Sequence, residues 1–114
     1  MKEGNKDEVL EALDALVAVL DENIERARRA IARADEIRKR RISGLRYSKI
    51  ARAEERPLIV ELATMNQQGL NEAGSKFRQA QARALHREGL SMDAIAKLFG
   101  VTRQRVSALL RSPH

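Results

Sequence analysis

An uninterrupted heptad repeat near the N-terminus places the strongest constraint on how this chain folds. No proline or glycine occurs between Asp7 and Arg41, and apolar residues recur there at alternating intervals of three and four. This spacing places the apolar side chains on one face of a helix, so the sequence predicts one long helix. We call this face the heptad seam, and it comprises Leu10, Leu13, Val17, Leu20, Ile24, Ala27, Ile31 and Ala34.

The seam is compatible with two packing arrangements. Its first heptad position is mostly branched and its second begins with leucine, a pattern that favours a parallel two-stranded coiled coil and hence a homodimer. However, Val9, Leu16 and Val19 widen the apolar face beyond a two-stranded seam. A wider face is expected of a helix that covers the core of its own domain. The pattern therefore leaves pairing between chains and packing within one chain as alternatives.

Composition predicts an all-α protein. The 114 residues include no tryptophan, one tyrosine and two phenylalanines, and strand formers are scarce relative to alanine, leucine, arginine and glutamate. The absence of cysteine excludes a disulfide framework and a cysteine-based zinc site, so we expect a cytoplasmic protein. Acidic residues interrupt the first apolar stretch at Glu11 and Asp14, and we expect neither a signal peptide nor a membrane partner.

Charge is distributed very unevenly along the chain. Residues 1–25 carry two basic and eight acidic side chains, whereas residues 26–41 carry eight basic and two acidic ones. Residues 76–114 again carry eight basic and two acidic side chains. Basic blocks of this kind indicate a polyanionic partner such as nucleic acid, although a solvated helix face accounts for the same charges.

Breaking residues divide the rest of the chain. Ser43 and Gly44 are expected to end the long helix, and a short helix is expected before Pro57, which begins the next one. Gly69 is expected to break or bend that helix. We therefore predict a helical arm over residues 1–43, for dimerisation or docking, and a helical domain over residues 44–114.

An internal echo links the two parts of this domain. The stretch "GLRYSKIA" from Gly44 matches "GLSMDAIA" from Gly89 at four positions, with an offset of 45 residues. One explanation of the match is chance similarity between two stretches that each follow an arginine-rich helix. Alternatively, residues 44–68 are a degenerate copy of the unit that follows Gly89, although "PLIVELATM" after the first copy offers few polar groups for base contacts.

Residues 91–111 predict two short helices that meet at a tight corner. Ser91 is a good N-cap for the first helix, whose inward residues are expected to be Ile95, Ala96, Leu98 and Phe99. Gly100 supplies the backbone conformation that the corner requires. Thr102 then caps a second helix, with Val106, Leu109 and Leu110 on its buried side.

This pattern resembles the helix-turn-helix DNA-binding motif. Ala96 stands where the two helices cross and Val101 follows the glycine, while "VTRQRVSALL" is similar to the recognition helix of region 4 of bacterial sigma factors. It is also similar to the C-terminal helix-turn-helix of serine recombinases of the resolvase and invertase type. The resemblance covers roughly residues 78–111 and implies that the second helix enters the major groove of double-stranded DNA.

The residue types along this helix suit two kinds of DNA contact. Arginine bonds bidentately to guanine and glutamine to adenine, whereas isolated cations and hydroxyls hold phosphates. We expect base-edge contacts from Arg103, Gln104, Ser107 and Arg111. We expect phosphate contacts from Thr102, Arg105 and Lys97.

Catalytic and metal-binding patterns are not found in the sequence. The two histidines, His86 and His114, have no cysteine or paired carboxylates around them, and no phosphate loop or nucleophile elbow occurs. We therefore expect no enzyme activity, no metal and no cofactor. The expected function is that of a small bacterial transcriptional regulator in the nucleoid, with RNA polymerase as a further partner. The alternative is a helical adaptor whose helix-turn-helix docks on a protein.

Overall fold

The fold is all-α, as composition predicts. The computed structural model describes residues 7–111, and His114 lies outside them. Within this range the chain forms five helices and no strand. They are α1 (Glu8–Ile42), α2 (Tyr47–Ala53), α3 (Ile59–Arg87), α4 (Met92–Phe99) and α5 (Arg103–Arg111). None of these helices combines the length and the apolar character needed to cross a lipid bilayer.

The long N-terminal helix predicted from the heptad seam is confirmed. It begins at Asp7, whose Oδ1 accepts hydrogen bonds from the backbone N–H groups of Val9 (2.9 Å) and Leu10 (3.1 Å). A carboxylate in this position satisfies donors that have no partner within the helix. From there α1 continues for 35 residues without interruption.

The chain forms two compact units, each built from parts of both long helices. The described part of the first unit comprises residues 7–18 and 71–111, and it holds α4 and α5. The second comprises residues 19–70 and holds α2. The arm predicted for residues 1–43 therefore contributes residues 7–18 to one unit and residues 19–43 to the other.

The predicted break at Gly69 is wrong, because α3 continues through it and through Gly74. In the second unit Gly69 faces α1, and a β-carbon built on it would lie 3.4 Å from Cγ1 of Val19. A β-carbon at this distance would make an ordinary van der Waals contact, so the approach of the two helices does not itself require a glycine. Asn23 and Asn66 beside it exchange hydrogen bonds, each side-chain amide donating to the backbone carbonyl of the other at 3.1 and 3.0 Å. Tertiary packing therefore outweighs the cost of about 1 kcal/mol for a glycine within a helix.

A carboxylate joins the three helices of the second unit. Oε2 of Glu54 accepts from the backbone N–H of Ile59 (2.6 Å) and from Nη1 of Arg33 (2.8 Å). Arg33 also donates to the backbone carbonyls of Glu55 and Pro57. The hydrogen bond from the Ile59 N–H, supported by the Arg33 guanidinium, holds the pKa of Glu54 below its ordinary value against the opposing effect of burial.

We expect Glu54→Gln to lower the free energy of unfolding at pH 7 by about 1 to 2 kcal/mol, because it removes a charge-assisted hydrogen bond. The folded-state pKa is depressed, so the stabilisation is present above the unfolded-state pKa and is lost as the pH falls through the folded-state pKa. Urea unfolding at a series of pH values measures the difference. It should shrink in acid, and exposed Glu55→Gln should have little effect at any pH. A difference that stays constant with pH would contradict this account.

The internal echo extends from sequence to backbone geometry. Gly44 and Gly89 both have positive φ, 105° and 106°, and each donates to the carbonyl three residues earlier. The residue after each glycine donates to the carbonyl five residues earlier. Both long helices therefore end in the same type of cap. This cap needs a residue with positive φ, a conformation that residues other than glycine rarely adopt.

Two arginines repeat with the same offset. Arg33, eleven residues before Gly44, binds Glu54, and Arg78, eleven residues before Gly89, stacks on the ring of Phe99 at 4.4 Å. Glu54 and Phe99 each stand ten residues after their glycine. Each unit thus joins the end of its short helix to the preceding long helix through an arginine in the same position.

Candidate nucleic-acid interface

The two helices and the corner predicted for residues 91–111 are present. Ser91 Oγ accepts from the backbone N–H of Ala94 at 3.1 Å and caps α4. Gly100 ends this helix in the left-handed conformation, with φ 70° and ψ 34°, and the N–H of Val101 donates to the Ala96 carbonyl at 3.0 Å. Oγ1 of Thr102 then accepts from the N–H of Arg105 at 3.1 Å. Local side-chain chemistry therefore sets both helix starts and the turn between them.

A buried apolar cluster packs α5 against α4. Its buried members are Ala82, Ile95, Ala96, Val106 and Leu109. Ala82 comes from α3, so three helices meet around a core made largely of small and branched side chains. This packing determines which side of α5 remains in solvent.

The inward placement expected for Leu98 is wrong, because this side chain is 66% exposed. The apolar arc of α4 is centred between Ile95 and Ala96, with Met92 and Phe99 beside them. At 100° per residue, Leu98 lies outside that arc. An exposed leucine therefore stands at the end of α4, next to the turn.

The structure places the candidate DNA contacts on or near the surface of the first unit. Six of them are exposed, namely Lys97, Thr102, Arg103, Gln104, Arg105 and Arg111. Ser107 is half-buried. All except Lys97 and Thr102 lie on α5, so one short helix displays guanidinium, amide and hydroxyl groups together.

Four of these side chains already have partners within the unit, and one of them is Thr102, which caps α5. Nη1 of Arg103 lies 3.4 Å from both carboxylate oxygens of Asp93 on α4, and both side chains are mostly exposed. An exposed ion pair of this kind contributes at most about 1 kcal/mol, so Arg103 can exchange Asp93 for another acceptor at little cost. Nη1 of Arg111 donates to Ser107 Oγ at 2.6 Å, which orients both groups along the helix.

Sequence reasoning missed the cations that hold the first unit together. Nη1 of Arg83 lies 2.8 Å from Oε2 of Glu8, and the Nη1 atom of Arg87 lies 4.0 Å from Oε1 of the same carboxylate. Arg78 stacks on Phe99. These arginines had been counted only as part of a basic block. The 45-residue offset between Arg33 and Arg78 was the one signal in the sequence that could have indicated a structural role.

Comparison with protein-family models, with curated proteins and with solved structures found no match. Within residues 7–111, no three histidine, aspartate or glutamate side chains come together in a way that could hold a metal ion.

Proposed function

We propose that this chain binds double-stranded DNA sequence-specifically through α5 and acts as a small bacterial transcriptional regulator. The observation that carries the proposal is the exposed surface of α5, where three arginine side chains and one glutamine side chain project into solvent while Val106 and Leu109 are buried. A B-DNA major groove is about 12 Å wide and admits one such helix. The glycine corner and the Ser91 and Thr102 caps hold the helix in a fixed orientation.

The roles proposed for the side chains follow from their position along α5. Arg103 and Gln104 lie in its first turn, and the residues at the start of a recognition helix reach base edges. Ser107 follows one turn later and allows close approach, while Arg111 ends the helix. Lys97, Thr102 and Arg105 supply phosphate contacts, which position a protein on DNA without reading its sequence.

Regulation follows from occupancy of a promoter. A protein bound at such a site either excludes RNA polymerase or offers it a second surface to contact. This mechanism places the protein in the cytoplasm, associated with the nucleoid. It requires no cofactor and no catalytic residue.

Selection of bound duplexes from a random pool, followed by affinity measurements at several salt concentrations, tests the proposal. We expect an enriched consensus and an affinity that falls steeply with salt, because phosphate contacts release counterions. A two-fold symmetric dimer further predicts that the consensus is an inverted repeat. A pool without enrichment, together with no measurable duplex binding at low salt, would reject the proposal.

Exposed Leu98 favours a second candidate, in which α4 and the turn dock on a protein such as RNA polymerase. In this candidate the exposed leucine, next to the turn, is the apolar anchor of the contact, and the polar side chains around it form the rim. Leu98→Ser should abolish capture of purified polymerase if this candidate is correct, and should leave duplex binding intact. Arg105→Ala is the matched control, since it should weaken duplex binding and leave polymerase capture unchanged.

A further inference from the structure

The heptad seam remains largely uncovered in the folded chain. Its six larger side chains, Leu10, Leu13, Val17, Leu20, Ile24 and Ile31, are between 40 and 69% exposed. The residues that widen the apolar face, Val9, Leu16 and Val19, are half-buried. Within residues 7–111 the chain therefore covers the neighbouring face of α1 and half-buries Ala27 and Ala34, while the six larger side chains of the seam stay exposed. A row of exposed apolar residues along one helix is typical of an interaction surface.

We infer that the heptad seam binds the seam of a second copy of this chain in antiparallel orientation. The seam runs along one continuous helix, α1, and its spacing of three and four residues is the spacing of a two-helix interface. A second copy of the chain fits the seam, because its own seam has the same residue spacing and the same length. This inference does not depend on DNA binding.

Side-chain size favours the antiparallel orientation. A parallel pair would place Ala27 opposite Ala27 and Ala34 opposite Ala34, and would leave two thin layers at one end. In an antiparallel pair centred between Leu20 and Ile24, each alanine meets a larger residue. The eight layers then comprise four pairings, each present twice: Leu10 with Ala34, Leu13 with Ile31, Val17 with Ala27, and Leu20 with Ile24. Large residues opposite small ones fill a helix interface evenly.

Charge favours the same orientation. The first half of α1, from Glu8 to Glu25, carries six acidic and no basic side chains. Residues 26–42 carry eight basic and two acidic side chains. A parallel pair would set acidic half against acidic half and basic half against basic half. The antiparallel pair sets opposite charges against each other at helix separations of about 8 to 10 Å, where screening is incomplete.

The charged residues beside the seam show where the attraction between the two helices is strongest and where it is weakest. Asp14, beside the seam, comes close to Arg28 of the second copy. Asp21 meets Asp21 of the second copy near the centre, and this like-charge contact opposes association. Asp21→Asn is therefore expected to tighten the antiparallel dimer several-fold. In a parallel pair the same aspartate would lie beside Leu16 of the second copy without a direct like-charge contact, and the substitution would relieve only the weaker repulsion between the two acidic halves, so its effect would be smaller.

Disulfide trapping distinguishes the two orientations, because the chain has no cysteine of its own. We expect Leu10→Cys mixed with size-tagged Ala34→Cys to form a cross-linked heterodimer under mild oxidation. Each variant alone should remain uncrosslinked, since like positions lie 24 residues apart along the pair, about 36 Å. A disulfide requires Cα atoms within about 7 Å. Circular dichroism confirms that each variant is folded, and Leu13→Cys with Ile31→Cys provides a second pair.

Three results would overturn the inference. Self-cross-linking of Leu10→Cys alone would indicate a parallel pair. A dimer in solution that yields no mixed cross-link from either cysteine pair would place the interface elsewhere. A monomer in light scattering of the unmodified chain at tens of micromolar would show that a second copy does not cover the seam. Loss of duplex binding alone would affect the proposed function and not this interface.

Discussion

Replacing Arg103 with alanine is expected to weaken binding to the selected DNA site by about 10- to 100-fold. A bidentate contact between arginine and guanine contributes about 1 to 3 kcal/mol of discrimination. Arg103 leads α5, is mostly exposed and has only the weak pair with Asp93 to exchange. The variant should therefore lose preference at one base position and keep most of its affinity for scrambled duplexes. Binding isotherms on both duplexes measure the two effects separately.

Arg105→Ala is expected to behave differently from Arg103→Ala. A lost phosphate contact weakens binding to all sequences alike and reduces the salt slope by about one. Exposed Arg29 on α1 provides the control, because Arg29→Ala removes the same charge far from α5 in the sequence. If both α5 variants bind as the unmodified protein does, α5 is not the element that reads DNA.

The helices that sequence predicted best are those whose ends depend on local chemistry. Ser91, Gly100 and Thr102 act on their own neighbouring backbone groups, so the bounds of α4 and the start of α5 could be predicted without knowledge of the fold. The long N-terminal helix was predictable for a related reason, since its periodicity contains no interruption. The continuation of α3 through Gly69 could not be predicted, because the residues that pack on this part of α3, such as Val19, lie about 50 positions away in the sequence.

The face that α1 buries could not be predicted from its pattern. Sequence singled out the heptad seam, yet Val9, Leu16 and Val19 are less exposed than most of the seam. An apolar arc wider than one seam contains two candidate faces, and contacts far along the chain select between them. The hydrogen bonds between Asn23 and Asn66 are such contacts. The spacing of apolar residues along α1 does not predict them.

The candidate interface shows the same division between local and distant causes. Helical periodicity places Gln104 opposite Val106, whereas Arg103 and Arg105 lie only about 60° and 100° from Val106 around α5. Periodicity alone therefore accounts for the exposure of Gln104 and not for that of the two arginines. The pair between Arg103 and Asp93 joins residues ten apart across the turn, and its geometry depends on the angle between α4 and α5. Leu98 was misplaced because an eight-residue helix shows too few apolar positions to define the centre of its buried arc.

Ile24→Asp is expected to raise the dissociation constant of the α1 dimer by about 100-fold or more. A symmetric pair contains this position twice, and burying the exposed half of an isoleucine contributes about 1 kcal/mol per side chain. The substitution removes both contributions and also buries two unpaired carboxylates, each next to Leu20 of the second copy. Sedimentation equilibrium across a range of concentrations measures the shift.

The folded monomer should tolerate this change, because Ile24 is 50% exposed within its own chain. Thermal unfolding at concentrations below the dimer dissociation constant should therefore be similar for the variant and the unmodified protein. Ala15→Asp is the matched control. It adds the same charge to an exposed position of the acidic half of α1, about 140° around the helix from the first seam position. If Ala15→Asp dissociates the dimer as strongly as Ile24→Asp, net charge rather than the seam controls association, and the seam is not the interface.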